Sequence, residues 1–157
     1  MSKVPMTPEG FTKLQTDLSR MKTVERPKIV ADLSAAAAQG DLSENSEYDD
    51  AKERLAILNR RVTDIEDKLS RAEVIDPSKV SSDRIAFGAT VMLRDIESDD
   101  DMTYQIVGVD EVDVKAGRIS LASPIARALM GKRAEDMVRV QVPKGVREFE
   151  IVKIEFK

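Results

Sequence analysis

The chain has 157 residues, 41% hydrophobic and 34% charged, with a net charge of −4 and no cysteine, histidine or tryptophan. Disulfides, zinc–thiolate sites, thiol nucleophiles and Ser-His-Asp triads are therefore excluded, and any metal chemistry must be carboxylate chemistry, which favours Mg²⁺, Mn²⁺ or Ca²⁺. With 4% aromatic residues, an aromatic-lined small-molecule pocket is not expected, nor does the negative balance favour bulk attraction to nucleic acid.

The opening "MSKVPMTPEG" lacks the apolar core of a signal peptide, and no later run approaches membrane-spanning length, so no membrane association and a cytoplasmic protein are expected. Phe11, Leu14, Leu18 and Met21 then recur at helical spacing, as do Ile29, Leu33, Ala36 and Ala37. Pro27 lies between the two groups and must kink or restart the helix there. Gly40 suits the left-handed position after a helix, and Asp41 or Ser43 suits the N-cap of the next one. In that next helix Tyr48, Ala51, Leu55, Leu58, Val62, Ile65, Leu69 and Ala72 are spaced 3, 4, 3, 4, 3, 4, 3. This is a heptad seam with charges between, and a helix over 44–73 would be about 45 Å long. The predicted first domain, residues 1–76, is an antiparallel coiled-coil hairpin turning at 39–43 and exposed to solvent as a monomer.

A linker is expected at 77–82, marked by Pro77 and the Ser81–Ser82 pair, and beyond it the period changes to two. "TVMLRDI", "TYQIVGV", "RISLA", "MVRVQV" and "FEIVKIEF" read as strands, with a bulge where the phase slips at Ile151–Val152. "ESDDD" and "PKG" read as hairpin loops. One short helix interrupts, with Ser123 as N-cap, Pro124 at its first position and Gly131 after its end. Residues 83–157 thus form a small β-rich α+β domain, and the fold class is α+β overall.

The charges are unevenly placed. Between Ile29 and Ala51 there is no basic residue, while Asp32, Asp41, Glu44, Glu47, Asp49 and Asp50 all fall there. Asp41 with Glu44 three residues on fits a capping box, and acids in a first turn suit the helix dipole. Yet capping needs only one or two acids, and a self-repelling cluster at the far end of a hairpin gains nothing from packing. Two carboxylates on a turn cannot fix Mg²⁺ alone, because that ion wants near-octahedral oxygen ligation; they could complete a site whose other ligands belong to a partner. Lys52, Arg54, Arg60 and Arg61 follow on the helix, readable either as a solvated face or as a track for RNA phosphates.

"GDLSENSEY" (40–48) and "SPIARALMGK", together with "VIDPSKV", "FGATV", "TYQIVGVDEVD" and "FEIVKIEF", resemble the bacterial Gre transcript cleavage factors over the whole chain. The resemblance implies a coiled-coil domain followed by an FKBP-like domain that docks on the rim of the secondary channel of core RNA polymerase. It implies that Asp41 and Glu44 act at the polymerase active centre beside the nascent RNA 3′ end. There they would help hold a Mg²⁺ jointly with the polymerase, none being stably bound by the factor alone, and stimulate cleavage of backtracked transcripts. Ser43, Asn45 and Tyr48 match as tip support, and Ser123, Pro124 and Arg127 as polymerase-docking residues. Prolyl isomerase activity does not carry over, since residues 80–157 hold only Phe87, Tyr104, Phe149 and Phe156 as aromatics. Two departures bear on contacts near the tip: "SAAAAQ" stands where charged residues are usual, and Ser43 where a lysine is common. Competing readings are an inhibitory relative that occupies the channel without stimulating cleavage, and a coiled-coil adaptor or chaperone.

Overall fold

In the computed structural model, which describes residues 2–40 and 45–157, the N-terminal helical run begins as α1 (Pro8–Arg20) and ends as α2 (Arg26–Ala37). Between them Met21–Glu25 is π-helical. Pro27 is the cause: it has no N–H to donate, and its ring would press on the Thr23 carbonyl in a regular α-helix. Widening the ladder just upstream, with the Arg26 N–H bonded to the Met21 carbonyl, absorbs the conflict, so the helix neither stops nor restarts. The third helix, α3 (Ser46–Ser70), runs back along it.

The seven heptad positions of α3, and Ala72 beyond its end, are buried or half-buried, while the residues between them are mostly exposed. Met21, Leu58 and Val62 form the buried centre of the seam, with Leu18, Ile29 and Ile65 packed on it; Leu55 and Leu69 are only half-buried. Flanking polar pairs set the antiparallel register: Lys22 with Glu66 at 3.0 Å, Arg26 Nε with Asn59 Oδ1 at 3.1 Å, and Arg54 with Asp32 at 3.4 Å.

The chain divides into two compact units, and the boundary differs from that read in the sequence. The hairpin unit spans Phe11–Ala72, while Lys3–Gly10 belong with Glu73–Lys157. Two observations explain this. Strand β1 (Val4–Met6) pairs with β2 (Ala72–Val74), and Ile75 donates its N–H to the Met6 carbonyl at 2.9 Å. In addition Glu111, 8% exposed, accepts the Thr7 N–H at 3.0 Å, the Thr7 hydroxyl, the Gly108 N–H at 3.1 Å and Arg118 Nη2 at 3.3 Å. Residues 77–82 are likewise not a free linker: Pro77 is buried and packs so closely on Gly88 that a Cβ there would lie 2.9 Å from its ring.

The second unit is a five-stranded sheet in the order β5 (Arg118–Ser120), β4 (Asp101–Val107), β3 (Thr90–Asp95), β7 (Gly145–Glu155), β6 (Met137–Val142). Every neighbour is antiparallel except β4 and β5. Met92 faces Lys153 and Leu93 faces Ile151, so Val152 is the extra residue of the expected bulge. One sheet face, with Val91, Leu93 and Ile151, closes over α4 (Pro124–Leu129) through Ala126 and Leu129, all fully buried. Phe149 lies in this core and Tyr104 and Phe156 pack on it, which leaves the strand aromatics as structural residues.

Candidate functional site

At the tip of the hairpin the last turn of α2 unwinds through Gln39 and Gly40. Their N–H groups bond to the Ala36 and Ala37 carbonyls at 3.2 and 3.3 Å. Gly40 adopts φ +105°, the left-handed conformation expected of it. On the other side α3 is capped by Asn45, whose Oδ1 accepts the Tyr48 N–H at 3.1 Å. The cap expected of Asp41 or Ser43 thus falls to the last polar residue before the helix. Asp41, Ser43 and Glu44 themselves lie outside the described residues.

Asn45 has a second partner. Its Nδ2 donates to the Ala36 carbonyl in the last turn of α2 at 2.7 Å. Gln39 Nε2 also reaches across, to Glu47 Oε2 at 3.2 Å. Ala36 and Ala51 are 3% and 1% exposed. Ala36, the one buried member of the alanine run, and Ala51 of α3 are therefore the small buried residues at the tip end of the seam, where Tyr48 is half-buried. Sequence reading named Asn45 and Tyr48 but not Gln39; its signal was an amide side chain immediately before the turn glycine.

Farther along α3, Lys52, Arg54, Arg60 and Arg61 are all exposed. They are not one stripe: Arg54 and Arg61 are seven residues apart and share a face, whereas Lys52 lies on the other side of the seam. Arg54 is paired with Asp50 at 3.1 Å as well as with Asp32, while Lys52, Arg60 and Arg61 make no ion pair among the described residues. Among those residues no group of three or more carboxylates could hold a metal ion, and no helix is long and apolar enough to cross a membrane.

The docking candidates lie in the second unit. Ser123 caps α4, accepting the Ala126 N–H at 3.3 Å and donating to the Ser120 carbonyl at 2.7 Å, so its hydroxyl is committed to the fold. Pro124 and Arg127 are exposed on the helix it starts. Elsewhere in this unit, at the end of β3, the Arg147 guanidinium holds the Asp95 carboxyl below the usual carboxylate range, helped by the Glu97 and Ser98 N–H groups.

The chain is similar to known proteins over its whole length. Residues 4–74 match the family model "Transcription elongation factor, N-terminal", and residues 80–156 match "Transcription elongation factor, GreA/GreB, C-term". These two matches define the class as transcription elongation factors. Transcription elongation factor GreA of Phenylobacterium zucineum is 52% identical over 156 residues, 99% of each chain. GreA of Hyphomonas neptunium is 49% identical over 157 residues, all of both chains. The crystal structure of GreA factor homolog 1 (Gfh1) of Thermus thermophilus is 31% identical, covering 98% of this chain and 99% of that one with a TM-score of 0.45. The chain belongs to the GreA/GreB family of transcription elongation factors.

Proposed function

We propose that the chain binds core RNA polymerase at the rim of its secondary channel and stimulates the polymerase's own cleavage of backtracked RNA. The hairpin carries Asp41 and Glu44 to the active centre, where their carboxylates complete the oxygen shell of a Mg²⁺ held jointly with the polymerase. Two hard oxygen donors fit part of such a shell and are too few to hold the ion alone. In that site the ion supplies charge stabilisation and activates water for phosphodiester hydrolysis. The chain's own share is to bring negative charge and hydrogen-bond acceptors to the reacting water and to hold them there. Cleavage leaves a new transcript 3′ end in register, and elongation resumes.

The observation that carries this reading is the division of tasks at the tip. Asn45 caps α3, so the cap of this helix does not require Asp41 or Glu44, and their carboxylates are assigned here to the site shared with the polymerase. Lys52, Arg60 and Arg61, which make no ion pair among the described residues, carry positive charge suited to RNA phosphates. Pro124 and Arg127, with Ser123 shaping the turn, form the contact offered to the polymerase. The inhibitory alternative is disfavoured because both tip carboxylates are present.

The test is a stalled-complex cleavage assay with Asp41→Asn and Glu44→Gln, singly and combined. Each amide keeps shape and hydrogen-bonding reach while losing the charge. Most stimulated cleavage should disappear while folding and polymerase binding persist, and raised Mg²⁺ should restore part of it by mass action. Full activity of the double variant would refute the catalytic role.

A further inference from the structure

The tip is held by one side chain with two opposite hydrogen-bonding ends. Asn45 Oδ1 accepts from the Tyr48 N–H of α3 at 3.1 Å, and its Nδ2 donates to the Ala36 carbonyl of α2 at 2.7 Å. An N-cap needs only the acceptor, which Ser, Thr or Asp supplies equally well. Only an amide carries acceptor and donor on the same short side chain. The second bond spans nine residues of sequence and joins the last turn of one helix to the first residue before the other. It is possible because the two helices meet through alanines here, with Ala36 and Ala51 almost wholly buried.

We propose that Asn45 is the positioning residue of the tip, its amide tying the last turn of α2 at Ala36 to the start of α3 and so fixing the two helix ends between which residues 41–44 lie in sequence. This rests on the function proposed above for Asp41 and Glu44. The reason such a tether matters is geometric: a carboxylate delivered to a reacting centre loses rate steeply when its placement loosens by about 1 Å, up to about a hundredfold. Gln39 and Glu47, both exposed and 3.2 Å apart, contribute less, because an exposed pair of long side chains resists displacement weakly.

The discriminating variant is Asn45→Asp. It keeps the cap of α3 but sets a carboxylate oxygen against the Ala36 carbonyl. Asn45→Ser, which also caps but cannot reach Ala36, controls for the added charge. In both variants helicity and half-saturating factor concentration should stay within about twofold of wild type. The maximal cleavage rate at saturating factor should fall about tenfold or more. A residue of purely structural importance would give the converse, a loss recovered by adding more factor.

A second readout does not depend on activity. The chain has no cysteine, so Ala35→Cys with Asp49→Cys, both exposed positions, places two spin labels across the tip end of the seam. Their separation should be narrowly distributed with Asn45 and broader with Asp or Ser. An unchanged distribution overturns the tether, and a broadened one with an undiminished maximal rate overturns the positioning role. Should the Asp41 and Glu44 variants prove fully active, the proposed function falls and takes the positioning role with it. The label distances then still decide whether Asn45 ties the helices.

Discussion

Leu58 and Ile57 are adjacent on α3 and face opposite ways: Leu58 is 4% exposed within the seam, Ile57 42% exposed outside it. Truncating each to alanine therefore measures the seam directly. A buried Leu→Ala change costs about 2–5 kcal/mol, the spread reflecting how far the surroundings close over the gap. The Leu58 cluster is small, with Met21 and Val62 as its only other fully buried members. It is also only two helices thick, so its neighbours can relax, and about 2–3 kcal/mol is expected. Ile57→Ala should stay within about 0.5 kcal/mol, since surface truncation is nearly neutral and alanine favours helix. In a unit of this size 1 kcal/mol corresponds to about 4–8 °C, which places the Leu58→Ala midpoint about 10–20 °C below that of Ile57→Ala. Circular dichroism at 222 nm reads this unit almost alone, because among the described residues the only α-helix entirely in the other unit, α4, has six residues. If the two variants melt together, the seam assignment is wrong.

Gly10→Ala should destabilise the protein in urea, although alanine ordinarily gains about 1 kcal/mol over glycine in a helix. The new Cβ would collide with the Glu111 carboxyl group, so a rise in the urea midpoint would refute the buried Glu111 anchor. Arg147→Gln tests the Asp95 pair through pH. With its carboxyl held low, chiefly by the Arg147 hydrogen bond, Asp95 contributes stability above the ordinary carboxyl pKa of about 4 that is lost as pH falls through its lower folded value. The stability gap between wild type and Arg147→Gln should be widest at neutral pH and narrow below about pH 4; a gap independent of pH would contradict the pairing. A fragment of residues 73–157 should be more stable than one of 81–157 by about 1–2 kcal/mol, because it keeps Pro77 buried on Gly88. Equal denaturant midpoints would return residues 77–82 to the status of a linker.

What the sequence determined by itself was whatever is written in local periodicity. The 3–4 spacing from Tyr48 to Ala72 produces a helix with one apolar stripe, and the alternation in "MVRVQV" a strand with one apolar face. Gly40, Ser123 and Pro124 act through backbone conformations and hydrogen-bonding options that belong to the residue itself, so their roles could be read directly. The bulge at Val152 announced itself as a phase slip for the same reason. The tip was legible only in part. Asp41, Ser43 and Asn45 are all competent caps within five positions, and nothing local ranks them. The choice went to Asn45 because the folded hairpin brings the Ala36 carbonyl within 2.7 Å of its amide, a partner that exists only once two helices have packed. Pro27 likewise demanded an accommodation without specifying its form; burying Met21 between Leu58 and Val62 is compatible with a π-helical turn that keeps the helix continuous. Lys3–Gly10 joined the second unit because Glu111, about a hundred residues away, needs the Thr7 donors to be buried without cost. Such pairings carry no periodic signature, and the tertiary structure alone decides them.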